Sequence, residues 1–171
     1  MFTLQIFSIA MNMLHLQSSF AKSPNHMEII NETAPVVCRK TIRINADLQT
    51  VWSVLTDIDR WDNWQTDIKK PKLNGNLQVG STFDWKTGGA KIHSTLHTVE
   101  PQSHFGWTGK SLGLFAIHNW TLTEKDGDVH VLVEESMEGS LAVLFKKTFN
   151  KNLENGMIRW LEMLKVECEK S

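Results

Sequence analysis

The chain has 171 residues, 41% of them hydrophobic, and a formal net charge of −1. That length suits one domain able to bury a sizeable core. The near-balance of charge excludes a nucleic-acid surface, which needs clustered Lys and Arg to release counterions; Arg39-Lys40, Lys69-Lys70 and Lys146-Lys147 are short, solvated edges.

The opening stretch, MFTLQIFSIAMNMLHLQSSFAKS, is open to two readings. Its apolar run and the Ser19-Phe20-Ala21 ending resemble a secretory signal, but no Lys or Arg precedes the run and Gln5, Asn12, His15 and Gln17 dilute it. It is too polar for a transmembrane helix, so no integral membrane span is expected. The reading adopted is that Met27 is the true start and the chain is cytoplasmic, with export through residues 1–21 as the alternative. Residues 1–34 are then an extension outside the core, and residues 35–171 form the domain.

From Val36 to Ile44, VVCRKTIRI alternates like a strand with one buried face. Asn45 offers a helix cap, and Leu48, Val51, Trp52 and Leu55 recur at helical spacing on one face. Next comes TDIDRWDNWQTDI, which sets Trp61 and Trp64 three positions apart among aspartates. Indoles in so charged a stretch imply something apolar beneath them, and a short helix closing one end of a pocket satisfies that.

A series of turn signals follows at Asn74-Gly75, Gly88-Gly89, Glu100-Pro101, Gly109 to Gly113 and Asp126-Gly127. Between them, Ser81–Lys86, Lys91–Val99, His104–Thr108, Leu114–Thr123 and Val129–Met137 form an antiparallel meander, with Asp126-Gly127 a two-residue hairpin turn. The inward sets are Phe83/Trp85, Ile92/Ser94/Leu96, Phe105/Trp107, Ala116/His118/Trp120/Leu122 and Val131/Val133/Glu135. After Gly139, apolar residues from Leu141 to Leu164 recur every three or four positions, predicting one helix of about 25 residues. Gly156 inside it marks a bend or a close contact. The fold class is therefore α+β: a strand, two short helices, five or six antiparallel strands, and a long helix gripped by the curved sheet, with a hollow between the layers.

INADLQTVWSVLTDIDRWDNWQ, GLFAIHNW and VEESMEG resemble the polyketide cyclase/dehydrase branch of the START-like helix-grip superfamily, over roughly residues 36–168. Asp47 departs from relatives that often have proline before the first helix. The resemblance implies a deep apolar cavity for a small hydrophobic ligand, without a fixed set of catalytic residues.

Two candidate sites follow. His118 and Glu135 share the inward face, and a carboxylate there is costly unless paired, so the two are candidates for general acid–base work. The alternative is a polar contact holding two strands together, and the register suggests they need a water or ligand to bridge them. Trp61, Trp64, Trp85, Phe105, Trp107 and Trp120 are candidate cavity walls among seven tryptophans, and Ser94 could bond a ligand carbonyl.

His93 and His97 lie in a strand, where four residues span about 13 Å, so they cannot share a metal and should face solvent. Cys38 and Cys168 have no metal-site spacing and are expected to be unpaired. Gly109-Lys110-Ser111 mimics the end of a phosphate loop, but position 104 is His104; no GxSxG elbow occurs either. No cofactor and no metal are expected, and oligomeric state is open.

The favoured function is binding or carrying a small hydrophobic molecule: a lipid, isoprenoid or polyketide-like compound. The alternative is a cyclase/dehydrase-type enzyme using His118 and Glu135. A protein-interaction helix is disfavoured by Lys146, Lys147, Lys151, Glu154 and Glu162 on the last helix.

Overall fold

A computed structural model describes residues 27–170. The signal-like stretch upstream of Met27 lies outside the described residues. In chain order the elements are β1 (Val36–Ile44), α1 (Leu48–Thr56), a 3-10 turn (Ile58–Arg60), α2 (Trp61–Trp64), β2 (Lys69–Asn74), β3 (Thr82–Thr87), β4 (Ala90–Glu100), β5 (His104–Ser111), β6 (Leu114–Lys125), β7 (Asp128–Glu138), α3 (Ser140–Leu144) and α4 (Lys146–Cys168). All seven strands form one antiparallel sheet in the order β1-β7-β6-β5-β4-β3-β2. The meander thus runs from β2 at one edge to β7, and β1 pairs on the far side of β7 as the other edge. The α+β helix-grip architecture is the one expected.

Four local differences have physical reasons. The strand β2 breaks the apolar/polar alternation: KKPKLN carries three lysines and a proline, and its pairing shifts between Lys69 and Lys72. An edge strand tolerates both, because its outer N–H groups need no partner in the sheet. Helix α1 is capped by Asp47 rather than Asn45; its Oδ1 accepts the Thr50 N–H at 2.8 Å and its Oδ2 the Thr50 hydroxyl at 2.7 Å. The predicted single C-terminal helix is broken at Phe145 (φ −111°, ψ 31°), where α3 ends and α4 begins. At Gly156 the helix runs through with open space where a Cβ would point, so that glycine marks no close contact.

Helix α4 lies along β1. Asn150 donates to the Pro35 carbonyl at 3.1 Å, Lys165 to the Arg43 carbonyl at 2.9 Å, and Lys40 pairs with Glu154. On the opposite, outer face of the sheet, residues 27–34 are tied down. Asn119 donates to the Glu28 carbonyl at 2.7 Å, the Asn31 N–H donates to Ser136 Oγ at 3.0 Å, and Ile30 is buried. His97 sits at a bulge where the β4–β5 register shifts between Leu96 and Thr98; this turns it toward the outer-face cluster, half-buried rather than in solvent. His93 is exposed beside Asp84.

The inner face is unevenly filled. Toward α1, Trp120, Phe105, Val131, Val133 and Leu122 are all buried beneath Leu55, Ile58 and Trp61. Toward α3, Ile92 on β4, Leu114 and Ala116 on β6 and Met137 on β7 are only partly buried, around the small residue Gly109. The grip is closed at one end and open at the other.

Candidate functional site

All five predicted inward sets face the helices, so the residues singled out from sequence do come together. Trp61 is at the centre and fully buried. Its ring lies 5.5 Å from Phe83, 6.2 Å from Trp85, 5.5 Å from Trp107 and 5.4 Å from Trp160, mostly edge to face. Its indole N–H donates to the Leu55 carbonyl at 2.9 Å, which fixes the short helix against α1. The aspartates around it look outward: Asp59 takes the Leu73 N–H and the Lys72 ammonium, both at 2.6 Å, and Asp67 meets Arg159. The charged stretch therefore surrounds two buried indoles, Trp64 being the second. The hollow expected beneath them is occupied by the other aromatic rings.

Ser94 is buried and its hydroxyl accepts the Trp85 indole N–H at 3.1 Å, leaving its own O–H free to donate elsewhere. Beside it, a Cβ on Gly109 would already touch Ile92 and Ser94. Trp160, from α4, completes the aromatic group and was not among the candidates from sequence. Its place in the apolar repeat of the last helix marked it as core; only the pairing of α4 with the sheet reveals what it faces.

The strongest departure from expectation concerns His118 and Glu135. The register puts them directly opposite each other on β6 and β7, because the two-residue turn at Asp126-Gly127 pairs Lys125 with Asp128 and counts inward from there. Their side chains meet in a hydrogen bond between His118 Nδ1 and Glu135 Oε2, with no bridging group needed. The imidazole is stacked on Trp107, centroids 4.3 Å apart and planes 14° from parallel, with Trp120 and Trp160 each 5.5 Å away. The side chains are 4% and 12% exposed, so the carboxyl retains slight access to solvent. Among the described residues, His118 Nε2, Trp120 Nε1 and Trp160 Nε1 are buried without a hydrogen-bond partner.

This arrangement can do two things. An imidazole whose Nδ1 is held by a carboxylate presents Nε2 as a base when neutral and as a donor when protonated. The two indole N–H groups nearby can only donate, so the group as a whole suits an oxygen acceptor.

Neither cysteine is in a disulfide, and burial pushes the Cys168 thiol up to about 12, making it inert as a nucleophile at neutral pH. No group of metal-ligating side chains occurs among the described residues. No helix among them is long and apolar enough to cross a membrane.

Solved structures of similar fold place this architecture among known proteins. A hypothetical protein of Helicobacter pylori, jhp0584, superposes with a TM-score of 0.74 at 19% identity, over 85% of this chain and 99% of its own. A START superfamily protein from Mycobacterium smegmatis gives 0.68 at 12% identity, over 78% and 97%. The di-domain ARO/CYC protein BexL of the BE-7585A biosynthetic pathway gives 0.63 at 14% identity; the match covers 79% of this chain and spans half of BexL. No curated protein matches the chain at significance. The model of one family, described as polyketide cyclase/dehydrase and lipid transport, matches residues 35–169, which is nearly all of the described fold. The chain belongs to that polyketide cyclase/dehydrase and lipid transport family.

Proposed function

We propose that the protein binds a small apolar molecule bearing a polar oxygen, seated on the open end of the inner sheet face. The observation that carries this reading is the contrast in burial along the same strands. Trp120 and Val133 are fully buried, whereas Ala116 and Met137, four residues along the same strands, are only partly buried although they face the same way. An apolar surface left partly uncovered beside a buried polar pair is the usual composition of a ligand site. The body of the guest would lie against Ile92, Ala116, Met137 and Leu153, and its oxygen would meet the His118–Glu135 pair. Lipids, isoprenoids and polyketide-like compounds fit that description.

The His118–Glu135 contact favours a second reading, acid–base catalysis of the cyclase/dehydrase type. With Nδ1–H donated to the carboxylate, Nε2 could remove a proton next to a substrate carbonyl, and the resulting imidazolium could return it to a departing hydroxyl. The pocket would add a positioning effect by folding a flexible substrate into a reactive shape.

Native mass spectrometry of freshly purified protein tests the proposal, repeated with His118→Ala and Glu135→Gln. Retention of an apolar compound that survives both changes supports a carrier. Retention with loss of turnover supports the enzyme. Failure to retain or take up any apolar compound would overturn both readings.

A further inference from the structure

Independently of what the inner face binds, the open end carries an apolar surface with no place in the fold. Leu112 is 76% exposed, Leu144 71%, Val143 66% and Phe145 50%. They lie on two segments that meet at one end of the molecule. The head of α3 abuts the β5–β6 turn so closely that a Cβ on Gly139 would fall 2.3 Å from the Gly113 carbonyl oxygen. Leu112, at the tip of that turn, holds a left-handed backbone (φ 48°). Asn or Gly takes that position without strain, whereas a leucine there is both strained and exposed. A residue that costs the fold twice points to a role outside it.

The charges around the patch are positive apart from Glu138. Residues 101–123 contain no carboxylate, and residues 139–153 contain three lysines and no carboxylate. Lys110, Lys146 and Lys147 are exposed beside the patch. The adjacent Glu138 is taken by the Asn31 amide at 2.7 Å. A second copy of the chain would bring the same lysines face to face, which disfavours a self-interface. Apolar side chains at the tip of a basic rim instead match the acyl boundary and phosphates of an anionic bilayer.

We propose that the β5–β6 turn and the α3–α4 elbow dock the protein on the surface of anionic lipid bilayers. Leu112, Val143, Leu144 and Phe145 enter the interface, and Lys110, Lys146 and Lys147 meet the lipid phosphates.

The test is vesicle flotation of the full chain with phosphatidylcholine alone and with phosphatidylcholine containing phosphatidylglycerol. The chain should partition onto the anionic vesicles, and less so at high salt. Leu144→Ser with Phe145→Ser, and separately Lys146→Glu with Lys147→Glu, should each reduce partitioning on the order of tenfold or more. Leu112→Asn separates docking from folding: it should raise the melting temperature by relieving the turn and still weaken partitioning. Absence of partitioning, partitioning unchanged by Leu144→Ser with Phe145→Ser, or self-association abolished by that pair would overturn the proposal.

Discussion

His118 reaches Glu135 because both sit on the inward phase of adjacent strands and a two-residue turn sets their register. The alternation of the sequence revealed the shared face; the register decided contact, and there the expected separation was wrong. The pairing also explains how a carboxyl group can be buried on an apolar face. Removing its partner should leave it stranded: His118→Ala is expected to cost about 3–5 kcal/mol, whereas Glu135→Gln, which keeps an acceptor for Nδ1–H, should cost about 1–2 kcal/mol. Urea unfolding of the two variants checks this. Equal losses would mean that the charged contact, which both variants disturb, dominates over the ring's stacking on Trp107, which Glu135→Gln leaves in place.

At the scale of elements, strands and helices were legible wherever one face is buried and the other wet, because burial then imposes a clear period of two or nearly four. β1 has the expected bounds, and the five meander segments differ only at their ends. The period fails where both sides of an element are polar, as in β2, and it is blind to a break that keeps the apolar spacing, as at Phe145. Glycines show the same limit. Gly139 (φ 125°) faces the Gly113 carbonyl, while Gly156 faces open space. Gly139→Ala should destabilise by about 3 kcal/mol and loosen α3, whereas Gly156→Ala should stabilise by up to about 1 kcal/mol. Chemical denaturation distinguishes them by sign.

The cap of α1 belongs to this scale too. The Thr50 hydroxyl and then its N–H hold the Asp47 carboxyl below its ordinary value. A carboxyl lowered in the folded state contributes stability that is present above its unfolded pKa and lost as pH falls through the acid range. Asp47→Ala should therefore lower the melting temperature at neutral pH, and the gap should close on acidification. A gap independent of pH would show that the cap acts without its charge.

For the whole molecule, sequence led to the family and the layered fold, since order of elements and apolar periodicity are properties of the chain. It could not say whether tryptophans surround a space or fill it. That depends on the volume between layers, to which residues from four separate elements contribute. Trp61 joins Phe83, Trp85, Trp107 and Trp160 in one packed group, so Trp61→Ala is expected to cost about 3–5 kcal/mol and to act on stability first. The sheet is instead incompletely covered at the α3 end, beside His118 and Glu135.

The central claim, a grip closed at the α1 end and open at the α3 end, is tested most directly by the seven indole N–H resonances of the protein during titration with an apolar ketone. The account predicts that Trp160 shifts first, while Trp61 and Trp64 stay in place. Early, saturable shifts at Trp61 and Trp64 with Trp160 unmoved would contradict it.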